Sequence, residues 1–92
     1  MTLTEGLKLC NSGIDIITKT IGIHDNSAIF DLLLAKGVCL VGLNRLDEGK
    51  EVLHQSYVMH MVFGLHHNWE ERKEFFPQAF IFEDIEKDVR LA

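Results

Sequence analysis

Proline occurs once in this chain of 92 residues, as Pro77, and tryptophan and tyrosine once each; no basic run is longer than Arg72-Lys73. Each scarcity excludes something. Nothing in the chain resembles a long flexible linker or a low-complexity tract. Nine basic residues are scattered among fourteen acids, for a net charge of −5. That excludes the clustered Lys and Arg that duplex nucleic acid requires, and it opposes adsorption to an anionic membrane surface. The longest apolar region, residues 28–43, is interrupted by Asp31 and Lys36. It falls short of the roughly 20 residues a membrane span needs. Residues 1–5 lack the basic-then-apolar pattern of a secretory signal. The two cysteines, Cys10 and Cys39, each sit in an apolar helical pattern and read as buried thiols acting as small hydrophobes. A soluble, reducing, cytoplasmic setting is the expectation.

What is present is apolar and periodic. Hydrophobic residues make up 47% of the chain and charged ones 25%, the balance of a globular domain. The length suits one small domain. Leu3, Leu7, Cys10, Ile14, Ile17 and Ile21 are spaced four, three, four, three and four apart, one helical face. Thr2 with Glu5 forms a capping box and Gly22 a stop, predicting a first helix over 3–21. A polar connector, residues 24–27, supplies N-cap side chains.

The second helix is predicted over 28–43, with twelve of its sixteen residues apolar. A helix apolar on nearly every face is covered on most sides, so it belongs between its neighbours. Asn44-Arg45 makes the turn, because Asn tolerates the left-handed conformation that ends a helix. A third helix follows over 46–63, with Leu46, Gly49, Leu53, Tyr57 and Met61 facing inward, Asp47 and Glu48 suiting its dipole, and Gly64 as stop. Asn68 with Glu71 signals a cap, predicting a short helix over 69–76 that ends at Pro77. The apolar-then-acidic stretch 79–85 reads as a further short helix, with an extended strip as the alternative.

Chemistry-bearing residues are sparse in pattern. His54 and His60, six apart, cannot share one ligand face, and His66 and His67 read as polar connector residues. Ser12, Ser27 and Ser56 lack the Gly-x-Ser-x-Gly turn of a nucleophile; Ser56 reads as a small packing residue. Burial in the most apolar helix disfavours Cys39 as a thiolate. Glu70 with Glu71 and Glu83 with Asp84 read as solvated surface. No catalytic residue, metal ligand or cofactor is nominated. The aromatic cluster of Trp69, Phe75, Phe76, Phe80 and Phe82 reads as core closure, with a protein-contact patch as the functional alternative.

The run from Leu33 to Leu53 carries a family resemblance. Gly37 and Gly49 stand where two helix backbones can approach closely. Glu48-Gly49 echoes Glu5-Gly6 at an offset of 43 residues. The pattern resembles the tetratricopeptide repeat, with Gly37 at its first small position, Leu33 and Leu40 at large positions, 44–48 as the turn, and Gly49 and Leu53 in the second helix. In helix length it resembles the longer repeats of bacterial peptide-sensing receptors. Lys36 departs from the pattern, as does the absence of a proline near Met61.

The resemblance implies an all-α fold of stacked antiparallel hairpins, with residues 1–64 as a three-helix unit and 65–92 as an aromatic closing segment of the same domain. It also implies a ligand-facing surface on the second helix: Asp31, Leu34, Ala35, Val38, Val41 and Gly42. That surface is nearly all apolar, which predicts that it is covered, either by Phe80, Ile81 and Phe82 folding back or by a partner helix. The expected function is a non-catalytic interaction module that binds a partner protein, a peptide or its own copy as a homodimer. Its partner-binding residues would be Asp31, Leu34, Val38, Val41, Trp69, Phe75, Phe76, Phe80 and Phe82. The alternatives are a minimal peptide-sensing regulatory domain lacking its output domain, and a small cytosolic metal-binding protein or enzyme.

Overall fold

A computed structural model describes residues 2–20, 28–81 and 85–86; for residues 20 and 78 it describes the backbone only. The expectations for Ile21, Gly22, the 24–27 connector, Ser27, Phe82, Glu83 and Asp84 lie outside the described residues. The described chain is all-helical: α1 (Leu3–Thr20), α2 (Ala28–Gly42), α3 (Leu46–Val62) and α4 (His66–Phe75), followed by one 3₁₀ turn, Pro77–Ala79.

Helix α1 begins at the expected capping box. The Glu5 amide donates to Thr2 Oγ1 at 3.1 Å, and the Thr2 amide donates back to Glu5 Oε1 at 3.3 Å. The two bonds satisfy amides that the first helical turn otherwise leaves without partners. Along the apolar stripe Leu7 and Cys10 are buried, Ile14 and Ile17 half-buried, and Leu3 largely exposed.

Helix α2 is the middle member, packed on α1 along one side and on α3 along the other. Leu32 meets Gly13 of α1, while Gly37 and Val41 meet Leu53 and Gly49 of α3. The α2–α3 approach is close because both helices place glycine at the crossing. A Cβ built on Gly37 would sit 2.6 Å from Leu53 Cγ, and one on Gly49 would sit 3.1 Å from the Val41 backbone nitrogen.

Two successive turns share one geometry. Asn44 adopts φ 62°, its amide donates to the Val41 carbonyl, and the Arg45 amide donates to the Leu40 carbonyl at 2.9 Å. Gly64 adopts φ 72°, its amide donates to the Met61 carbonyl, and the Leu65 amide donates to the His60 carbonyl at 2.7 Å. Both are left-handed helix caps that bond the last free carbonyls of one helix. In each case the next helix starts two residues after the left-handed one.

That geometry corrects the reading of the last quarter. Helix α4 starts at His66 rather than Trp69, so His66 and His67 are exposed helical residues, and Asn68 lies inside the helix. No side chain caps α4; the reversal at Gly64 sets its start instead. His67 Nε2 lies 2.7 Å from Glu71 Oε1, one turn on. The stretch 79–85 forms no α-helix in its described part: Ala79 ends the 3₁₀ turn, Phe80 and Ile81 are irregular and Ile85 lies in a turn. After Pro77 the Phe80 amide bonds the Pro77 carbonyl, closing a single turn that buries Ala79 and leaves Ile81 exposed.

Candidate functional site

The face of α2 nominated for a partner is covered by the chain's own C-terminal segment. Leu34 of α2 and Leu53 of α3 are buried against Trp69, Ala79 and Ile85. Val38, Val41, Tyr57, Met61, Phe76 and Phe80 pack around them. Trp69 has no exposed surface and is enclosed by three rings, Tyr57 at 5.1 Å, Phe80 at 5.3 Å and His60 at 5.4 Å between centroids. Contacts of this kind add stabilisation beyond the area they bury. Its Nε1–H is the one fully buried side-chain polar atom among the described residues with no hydrogen-bond partner.

Of the nominated residues, the structure therefore brings Leu34, Val38, Val41, Trp69, Phe76 and Phe80 together, facing each other across a filled interface. Phe75 is left out of it, 73% exposed at the end of α4. Ile81, expected to fold over the face, is 61% exposed. Phe82 lies outside the described residues.

Asp31 has a different job from the apolar residues on its helix. Its carboxylate receives Arg72 of α4 in a two-point fork, Nε at 3.0 Å and Nη2 at 3.2 Å. This bond is the first cause that raises the Arg72 pKa, against a smaller opposing effect of burial. Beside the fork lies a small pocket of about 80 Å³ lined by Asp31, His60, Leu65, Asn68 and Arg72. Here the sequence missed an arrangement: α2, α3 and α4 bring four polar side chains to one point across long sequence gaps. The i, i+4 spacing of Asn68 and Arg72 was its only local signal.

Ser56, His60 and Asp31 are in line but not as a nucleophile, base and acid. His60 Nδ1 donates to the Ser56 carbonyl at 2.7 Å, since a carbonyl can only accept. The Ser56 hydroxyl donates to the Phe30 carbonyl at 2.9 Å. Ser56 has no exposed surface. Its proton is therefore committed to backbone and its oxygen is out of reach of a substrate. His60 Nε2 stands 3.9 Å from Asp31 Oδ1, beyond hydrogen-bond range. Among the described residues no three His, Cys, Asp or Glu side chains converge as metal ligands, and no helix is long and apolar enough to cross a membrane.

A larger opening lies on another face. Ile14 of α1, Ile29 and Leu33 of α2, and His54, Gln55, Val58 and Met59 of α3 line a trough of about 410 Å³. Ile29 and Leu33 are one turn apart on α2 and turned away from the Leu34 and Val38 face. Their apolar side chains are legible in the sequence; that α1 and α3 leave a gap over them is not, because it depends on how far the helices splay. His54 Nδ1 donates to the Ile85 carbonyl at 2.6 Å, so the imidazole also anchors the C-terminal segment.

The thiols of Cys10 and Cys39 are both unpaired by disulfide. Burial chiefly pushes the Cys10 thiol above its ordinary pKa, and the adjacent Cys39 thiol, with which it hydrogen-bonds, adds to that. No protein-family model, no curated protein and no solved structure matches this chain.

Proposed function

We propose that the chain is a non-catalytic helical interaction module that holds an apolar segment of a partner polypeptide. One observation carries the reading: the trough of about 410 Å³ between α1, α2 and α3, whose lining is apolar except for His54 and Gln55. Binding clefts for compact ligands span about 300–1,000 Å³ and combine apolar walls with a few polar groups. The resemblance of the α2–α3 hairpin to a tetratricopeptide repeat, a binding architecture, supports the same reading.

The reading places the contact on the trough rather than on Leu34, Val38 and Val41, which the C-terminal segment already occupies. The test is differential. A photo-crosslinking residue at position 58 is expected to label a polypeptide partner in a native-host extract. The Val58→Glu protein, folded by circular dichroism, is expected to lose that partner in affinity capture. Identical capture by both proteins would contradict the reading.

A further inference from the structure

The outer face of α1 is laid out to meet itself. Residues Glu5, Leu9, Ser12, Ile16 and Lys19 follow spacings of four, three, four and three, the repeat of a helix–helix seam. All five are exposed, Leu9 by 58% and Ile16 by 63%. Among the described residues, this stripe leaves two large aliphatic side chains more than half exposed.

Read in reverse, the stripe is its own complement. Glu5 and Lys19 each lie seven residues, about 10 Å along the axis, from Ser12. Leu9 lies three residues from Ser12 and Ile16 four, on the opposite side. If a second α1 is laid antiparallel with Ser12 near a two-fold axis, Glu5 meets Lys19 of the other copy and Leu9 meets Ile16. On the flank, Lys8 meets Asp15. Each charged pairing is of opposite sign, and each aliphatic residue meets an aliphatic one.

The surface shape agrees with this register. Glu5, Lys8, Leu9 and Ser12 border a notch of about 270 Å³. It stands opposite Ile16 of the second copy. Lys19 already pairs with Asp15 at 3.0 Å on its own helix, so in the pairing it bridges Asp15 and the incoming Glu5.

We propose that this chain forms a two-fold antiparallel homodimer through the outer face of α1, with Leu9 and Ile16 as the apolar contact and Glu5–Lys19 as the closing ion pairs. The argument for a second copy, rather than another protein, is that the stripe is palindromic in charge and size. Only an isologous contact requires that of a surface. The interface uses a single helix per copy, so it belongs to the small, weak class, with half-association near roughly 0.1 mM. It does not depend on the trough, which lies on another surface.

Sedimentation equilibrium of the intact chain from about 10 μM to about 1 mM tests this. The mean mass is expected to rise from 10.5 kDa toward twice that value. Ile16→Glu should weaken association at least about tenfold, and Lys19→Glu about tenfold. The double exchange Glu5→Lys with Lys19→Glu should recover most of the wild-type affinity. Because Glu5 also caps α1, circular dichroism at low concentration checks that the double variant remains folded. A constant 10.5 kDa at all concentrations overturns the proposal. So does association that Ile16→Glu leaves intact, or a folded double variant that stays as weak as Lys19→Glu.

Discussion

Helix α2 has two flanks, and they are built differently. Toward α3 and the C-terminal segment it uses glycine-mediated close approach, four aromatic rings around one point, and a two-point ion pair that reaches α4. Toward α1 it packs by the ends of leucine side chains, Leu32 on Gly13 and Leu3 on Gly42, and by the adjacent Cys10 and Cys39 thiols, with Leu7 and Cys10 as the buried residues of α1. The first flank is closed by a long-range assembly of α3, α4 and the 3₁₀ turn. The second is closed by one helix whose far side remains open. A helix held along one edge only is the part of a small domain that opens most readily.

The largest effect expected from this difference is at Trp69. Trp69→Ala should cost about 3–5 kcal/mol, enough to lower Tm by more than about 10 °C in thermal unfolding. Leu7→Ala on the α1 flank should cost nearer 2 kcal/mol. Equal losses would erase the distinction between the flanks.

Glycine substitution sharpens the comparison next. Gly37→Ala drives a methyl against Leu53 Cγ at 2.6 Å and within 3.3 Å of its backbone nitrogen, so chemical denaturation should show a loss of about 1–3 kcal/mol. At Gly13 the nearest atom is the Cδ1 of Leu32 at 3.1 Å, the end of a flexible side chain. Gly13→Ala should therefore be neutral or stabilise by up to about 1 kcal/mol, because alanine favours the helix.

Smaller again is the fork. Asp31 and Arg72 side chains are 46% and 28% exposed, which screens the pair, and Arg72→Met should cost about 1 kcal/mol in the same assay. The smallest effect is alkaline. The Cys10 thiol is raised above its ordinary 9.0 by burial and Cys39, and the Lys73 ammonium above 10.5 by its hydrogen bond to Glu86. In both cases the folded state holds its proton to higher pH than the unfolded state. Stability should therefore be full below about pH 9 and fall as pH rises past 9 and then past 10.5. Cys10→Ala should remove the earlier part of the decline in Tm against pH.

The helices were legible because their signals are local. The stripe of α1, the Thr2–Glu5 box, the all-round apolarity of α2 and the left-handed Asn44 all act within a turn or two of chain. The close approach at Gly37 and Gly49 was legible for the same reason, since small residues on facing helices announce it. The start of α4 was not. His66 and His67 look like connector residues until Gly64 is seen to cap α3 as Asn44 caps α2, which releases the next helix at once. The Asp31–Arg72 fork and the trough were out of reach because each depends on distances between helices, which no single helix encodes. The closing segment was half legible. Its apolar content predicted burial, but which of Phe80 and Ile81 turns inward was decided by the 3₁₀ turn at Pro77.

Amide hydrogen exchange measured residue by residue tests the inequality of the two flanks most directly. The slowest amides should be those of residues 34–40 in α2, exchanging near the global unfolding limit, with residues 9–16 of α1 exchanging faster through local opening in dilute protein. Protection in α1 equal to that in α2, or rapid exchange at Leu34 and Val38, would contradict it.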